Sequence, residues 1–319
     1  MACAMRGFLV RRPNATPRVF RSDLQLVNPL VEECRFGATL LRRSAFSFSP
    51  RPKVGAIFLL ITYRYTLFMP NNSTSWGKVA AWYDDLLDGD DTYQKKVILP
   101  NLKRLAGIQK GDQVLDLGCG QGFFAREFAK AGGRVTGVDL ASDLIDLAKK
   151  NSGAAIEYRV APADQLNFLK NGGADKIFII LALQNMENAG AVIKECRRVI
   201  KPSGKIHLVL NHPAFRIPKA SGWGWDERRG IQYRRIDGYL SESKEKIQMH
   251  PGNAPKDHTF SFHRPLQFYA KVLGNNGFAV TRLEEWESHR RSQPGARAAS
   301  ENRARREIPL FLYIEAVAL

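Results

Sequence analysis

The stretch that most restricts the fold is Val114-Leu-Asp-Leu-Gly-Cys-Gly-Gln-Gly122. An apolar run, Gln113 to Leu117, leads directly into glycines at alternating positions, Gly118, Gly120 and Gly122. Phe124, Phe128 and Ala131 then recur at helical spacing over Phe123 to Ala131. Together these read as a strand, a turn that needs glycine, and a helix. Glycine takes positive φ at no steric cost and lets the backbone approach a ligand without a Cβ in the way. A turn of this kind, at the carboxyl end of a parallel strand, lies where open α/β sheets bind their ligands.

Two carboxylates narrow the reading. Asp116 lies within the strand, and a second strand, Gly133 to Val138, ends in Asp139, 17 residues after Gly122. A carboxylate about one βαβ unit on can accept both hydrogen bonds of a ribose diol. The order Asp-x-Gly-x-Gly-x-Gly differs from the Gly-x-Gly-x-x-Gly of dinucleotide sites and argues against a dehydrogenase. In these residues the chain resembles the class I S-adenosylmethionine-dependent methyltransferases, in particular the small-molecule branch of ubiquinone/menaquinone C-methyltransferase-like enzymes. The likeness runs from about Ser75 to Val317.

The resemblance implies an α/β, Rossmann-like fold: a seven-stranded mixed sheet with an antiparallel last strand, helices on both faces, and a small cap after strand five. It implies S-adenosyl-L-methionine as cofactor. Asp116 would orient the methionine end, the backbone of Gly118, Cys119, Gly120 and Gly122 would clear space for it, and Asp139 would hold the ribose. Leu140, next to Asp139, is placed to pack on the adenine face. Tyr83, in Trp82-Tyr83-Asp84, matches an aromatic segment that folds over the cofactor; the alternative is a core aromatic on the helix Trp76 to Leu87. After strand three, Ala155 to Val160, the family carries Gly-Asp-Ala-Glu, where this chain has Ala161-Pro-Ala-Asp164. The adenine edge then falls to Asp164 or to the backbone near Ala163.

Composition bounds the rest. The 319 residues, 44% hydrophobic, suffice for one large core or one core with an inserted cap. Cys3, Cys34, Cys119 and Cys196 show no paired spacing, which speaks for a reducing, cytoplasmic setting and against a disulfide framework or a metal site. The longest apolar run, Val54 to Thr62, is too short to span a membrane. Of the net charge of +17, residues 1–68 contribute +8, with Arg and Ser abundant, acids few, and Pro13, Pro17, Pro29, Pro50 and Pro52 interrupting any helix. That composition predicts a disordered N-terminal extension. It reads as upstream sequence with Met69 as the natural initiator, or as an organelle transit segment. Residues 69–319 are then the methyltransferase domain.

Strand four, Lys176 to Ala182, exits into Leu183-Gln-Asn-Met186, whose Gln184 and Asn185 suit the orientation of an acceptor or the capping of the next helix. That helix, Gly190 to Val199, ends at Lys201-Pro-Ser-Gly204 before strand five, Lys205 to Asn211. Residues 212–262 are too many for an ordinary connection and read as a cap, with Trp223, Trp225, Tyr233 and Tyr239 able to line an acceptor site. His212, at the end of strand five, is a candidate general base or a turn histidine. His263, in Phe262-His-Arg-Pro-Leu266, is a second candidate, because that segment borders the acceptor pocket in similar enzymes; Arg264 would pair with an acidic substrate or with Asp226. A helix to Leu273 and a strand Phe278 to Trp286 follow, then an Arg-rich hairpin loop at 289–306 and the last strand, Ile308 to Ala318.

Methyl transfer from a sulfonium needs alignment, exclusion of water and proton removal, so no triad is expected. The function implied is methyl transfer to a small-molecule acceptor, the accepting oxygen, nitrogen or carbon being left open. The basic charge keeps an RNA methyltransferase as an alternative, although no Asn/Asp-Pro-Pro-aromatic clamp and no appended RNA-binding module is present. A non-catalytic cofactor-binding protein is a third reading. The oligomeric state is not encoded in any motif.

Overall fold

The computed structural model describes residues 89–248 and 258–319. The expected extension at 1–68, the expected helix Trp76 to Leu87 with Tyr83, and residues 249–257 lie outside the described residues.

A π-helical turn, Gln94–Ile98, runs into α1 (Leu99–Leu105), followed by β1 (Gln113–Leu117), α2 (Phe123–Lys130), β2 (Arg134–Asp139), α3 (Ser142–Ser152), β3 (Glu157–Val160) and β4 (Ala174–Ile180). A 3-10 turn, Leu183–Asn185, then leads to α4 (Ala189–Val199) and β5 (Ile200–Asn211). Two hairpins come next, β6 (Ser221–Asp226) with β7 (Ile231–Ile236), and β8 (Ser243–Gln248) with β9 (His258–His263). The chain closes with α5 (Leu266–Asn275), β10 (Phe278–Trp286), α6 (Ala298–Glu307) and β11 (Phe311–Ala318).

Seven strands form one sheet in the order β3-β2-β1-β4-β5-β11-β10. Strands β1 to β5 pair in parallel, while β11 runs antiparallel to both β5 and β10. The mixed sheet expected from the sequence is present, and its last strand inserts between β5 and β10 rather than adding at the edge. Period-two alternation assigns side chains to two cores. Leu115, Leu117, Ile177, Ile179, Leu208 and Ile314 pack on one face with Ile193 and Cys196 of α4. Val114, Phe178, Val209 and Tyr313 pack on the other with Leu102, Phe128 and Ile145.

Three elements differ from the sequence reading. Residues 289–306 are not a hairpin loop: Ala298–Glu307 is helical. Strand five starts at Ile200, straight after the helix, with Ser203 taking φ 61° in the Lys-Pro-Ser-Gly turn. Ser142, by residue type the expected cap of the helix that follows β2, is instead the first helical residue of α3; Ala141 is the cap residue, and its N–H donates to the Asp139 carboxylate at 2.9 Å.

Candidate active site

Strand order reverses at β1 and β4: β2 and β3 lie to one side of β1, β4 and β5 to the other. A crevice opens at the carboxyl ends of these strands, where this topology places ligands. Its cavity is about 520 Å³, within the range of small-molecule sites. Gly118 and Gly120 form its floor, Asp139, Leu140, Ala163 and Asp164 one wall, Leu181, Ala182 and Asn185 another, and Lys244, Phe260 and Phe262 its cap side.

The turn is held by its own backbone. Gly118 sits at φ 70°, and its N–H donates to the Val138 carbonyl at 2.7 Å. A Cβ there would come within 2.5 Å of the Ala182 Cβ, so β4 can close on the turn only over glycine. Gly120, at φ 55°, donates its N–H to Asp139 Oδ2 at 2.9 Å, while Asp139 Oδ1 accepts from Ala141. A carboxylate offers about four acceptor directions, so acceptor capacity remains on Asp139 for a ribose hydroxyl.

Among the described residues, Asp116 and Asp139 form an acidic pair with no cation at ion-pair distance. Asp116 is 2% exposed, lies beneath the turn without lining the crevice, and keeps Oδ2 without a hydrogen-bond partner. Burial first, then the neighbouring Asp139 charge, pushes its carboxyl up to about 7. Burial also raises Asp139, against the hydrogen bonds from Ala141, Gly120 and Leu140. Such a site suits a ligand that brings positive charge to it, and the sulfonium and ammonium of S-adenosylmethionine meet that requirement.

Not every turn residue faces the crevice. Gly122, at φ 81°, faces inward, where a Cβ would collide with the Tyr158 hydroxyl and crowd Ala148. Its glycine therefore serves helix–strand packing rather than cofactor approach. The Cys119 side chain packs into the core beside Gly137, burial raises its thiol, and only its backbone N–H reaches out, to Val138 at 3.1 Å.

The acceptor-side residues divide. Asn185 lines the crevice on the 3-10 turn, with its Nδ2 3.4 Å from the Leu181 carbonyl. Gln184 is buried beside it, its Nε2 donating to Leu181 at 2.8 Å. His212 does not line the crevice. Its Nδ1 accepts the Ala214 N–H at 3.2 Å, which leaves Nε2 as the donor to Glu285 at 2.6 Å. With both ring nitrogens engaged and the imidazole lowered chiefly by burial, His212 is the turn histidine, not a base over the crevice. His263 donates Nε2–H to the Tyr239 carbonyl at 2.8 Å and faces a separate, smaller cavity. Arg264 donates to the carbonyls of Met186 and Glu187 at 2.9 and 2.7 Å and pairs loosely with Glu242, not with Asp226.

The cap reading also needs correction. Only the second hairpin, β8–β9, reaches the crevice. The first, β6–β7, packs with α6: Gln232 N–H donates to Ser300 Oγ, and Arg297 lies over the Trp225 ring while pairing with Glu227. Trp223 is flanked by Arg216 and Arg234, and none of Trp223, Trp225, Tyr233 and Tyr239 lines the crevice.

Sequence reasoning missed Leu181, Lys244 and Phe260. Leu181 lines the crevice at φ 53°, a strained conformation for leucine of a kind that concentrates at functional sites. Lys244 lies over the rings of Phe260 and Phe262 at 4.8 and 5.4 Å and pairs with Glu187 at 2.8 Å, tying the hairpin to the rim. The charged stretch containing Lys244 offered no spacing that distinguished it from its neighbours, whereas the alternation Phe260-Ser-Phe262 was a usable signal.

Comparison with known proteins agrees with this geometry. Residues 115–208, from β1 to within β5, match a methyltransferase domain family. A ubiquinone biosynthesis O-methyltransferase of Bordetella avium is 34% identical over 106 residues, covering 32% of this chain and 44% of that protein. The chain thus matches less than half the length of this curated relative. An S-adenosylmethionine-dependent methyltransferase structure from Mesorhizobium loti covers 72% of this chain and 99% of its own, at TM-score 0.57 and 24% identity. A second, from Listeria monocytogenes, covers 69% and 97% at TM-score 0.56 and 24% identity. These two show the fold. Among the described residues no helix is long and apolar enough to cross a membrane. The domain match spans the strands and turn that build the crevice, so residues 115–208 carry a methyltransferase domain, and the whole sheet follows the fold of the S-adenosylmethionine-dependent methyltransferases.

Proposed function

We propose that this protein transfers a methyl group from S-adenosylmethionine to a small-molecule acceptor by in-line displacement. The observation that carries the reading is the crevice itself: Asp139, steadied by Gly120 and Ala141, beside the glycine floor and above a buried, unpaired Asp116. S-adenosylmethionine supplies an electrophilic methyl on a sulfonium. Asp139 accepts from the ribose hydroxyls, Leu140 covers the adenine, and Ala163 or Asp164 borders its edge. Asp116 and Asp139 balance the positive charge. Asn185 orients the acceptor, and Phe260 and Phe262 exclude water over it, so that positioning does most of the chemistry.

The crevice volume of about 520 Å³ and its phenylalanine side support a small acceptor over a nucleic acid. The likeness to an O-methyltransferase supports a hydroxyl oxygen as the accepting atom. Cys119 and Cys196, both buried and unpaired, support a reducing cytoplasmic setting.

Calorimetry of S-adenosylmethionine with the full chain tests the reading. Micromolar binding is expected, and Asp139→Ala weakens it by about 100-fold or more, since two charge-assisted hydrogen bonds at about 1.5–3 kcal/mol each are lost. Absence of wild-type binding overturns the cofactor assignment. Salt-sensitive binding of total RNA in the same cell would move the acceptor from a small molecule to RNA.

A further inference from the structure

Phe262 is a wall of two cavities. Besides the cofactor crevice it borders a recess of about 30 Å³, lined among others by Gln184, Arg216, His263, Arg264 and Tyr269. Since one water occupies about 10–15 Å³ on this measure, the recess holds about two water-sized groups, the size of one carboxylate's oxygens.

Three of its lining side chains each keep a buried polar atom with no hydrogen-bond partner: Gln184 Oε1, Arg216 Nε and Arg264 Nη1. Gln184 is 7% exposed and Arg264 5%. Buried polar groups are ordinarily paired, and three unpaired ones around one small recess mark it as built for a ligand. The local charge is positive. Among the described residues, Arg264 has one ion-pair partner, Glu242, 3.9 Å away and mostly exposed. Arg216 has no carboxylate within ion-pair distance among the described residues; its neighbours are the Trp223 ring at 5.4 Å and, across that ring, the like-charged Arg234. Burial, with repulsion from Arg234, lowers Arg216 to about 10, so it stays cationic at neutral pH. Guanidinium forks match carboxylate geometry. Of the three unpartnered atoms, the one acceptor, Gln184 Oε1, suits a hydrogen-bond donor on the same ligand.

We infer that Arg216 and Arg264 form an oxyanion recess that grips a carboxylate of the methyl acceptor, whose remaining body lies across Phe262 in the cofactor crevice. This rests on the methyltransferase reading and gives its substrate class: a small carboxylic acid that brings its accepting atom to the cofactor.

Benzoate, benzamide and acetate, titrated into the full chain at constant ionic strength with and without saturating S-adenosylhomocysteine, test it. Benzoate is expected to bind at least tenfold tighter than benzamide, which lacks the charge, and than acetate, which lacks the body for the crevice. Arg216→Gln removes no side-chain hydrogen bond seen in the structure. It should weaken benzoate at least tenfold while leaving S-adenosylhomocysteine affinity and Tm in place, and Arg216→Lys should restore part of the loss. Equal binding of benzamide, or an unchanged benzoate affinity in Arg216→Gln, overturns the recess. Acetate binding as well as benzoate overturns its link to the crevice. Failure of S-adenosylhomocysteine to bind would sink the methyltransferase reading alone, because benzoate against benzamide still reads the recess in the unliganded chain.

Discussion

At the scale of the residue, Asp116 couples the site to pH. Its carboxyl, pushed up to about 7 by burial and by Asp139, holds its proton in the unliganded protein at pH 5. A cationic ligand favours the ionised form. Affinity for S-adenosylmethionine should therefore rise about tenfold per pH unit up to about pH 7 and then level, as calorimetry across pH 5–8 would read. The stability sign is opposite. A group whose folded pKa is raised contributes stability that is complete below its unfolded value, near 4, and lost as pH rises through 7. Asp116→Asn should flatten both profiles, and a wild-type affinity independent of pH would dismiss the role. The position of Asp116 was legible from the strand-and-glycine spacing. Its protonation was not, because burial under the turn depends on how β4, α2 and β2 close around it.

At the scale of the element, the glycine turn and the two hairpins behave differently. Gly118 is required twice over, by its φ of 70° and by the Ala182 Cβ that would meet its own. Gly118→Ala should cost about 1–3 kcal/mol for overpacking and about 1–2 more for the left-handed backbone. A urea midpoint close to wild type would refute that packing argument. The turn was readable because its positive φ is a local requirement that glycine meets, whatever packs against it. The hairpins were not. Both β6–β7 and β8–β9 carry aromatics at alternating positions, yet one packs on α6 and the other on the crevice, and alternation gives the face of a strand without naming its neighbour. The helix at Ala298–Glu307 was hidden for a related reason: its Arg-rich surface has almost no apolar period, with Ala304 its only buried residue.

At the scale of the whole molecule, the sheet carries a core histidine that no motif announced. His207 of β5 is fully buried, stacked on Phe178 at 4.5 Å, with Nδ1 2.8 Å from the Tyr313 hydroxyl. Burial lowers its pKa to about 3. A depressed histidine contributes stability that is present above about 6.5 and falls as the unfolded chain takes up a proton below it. Between pH 6.5 and 5 this histidine contributes a loss of about 2 kcal/mol, at about 1.4 kcal/mol per pH unit, which the raised Asp116 opposes; His207→Phe should therefore gain about that much stability relative to wild type on going from pH 6.5 to 5, read by urea unfolding of both proteins at the two pH values. The amino-acid sequence by itself determined the order of the seven sheet strands along the chain, the glycine turn and the two carboxylates of the cofactor side, since periodicity, φ preference and short-range spacing are properties of contiguous residues. The tertiary structure alone decided the rest. The insertion of β11 between β5 and β10, the turning of His212 to Glu285 and the choice of the second hairpin over the crevice depend on residues 70 or more apart in sequence. So does the meeting of Arg216, Arg264 and Gln184 at one recess, where Gln184 and Arg264 alone are 80 positions apart. Such contacts are selected by which surfaces bury together, and no local pattern records them.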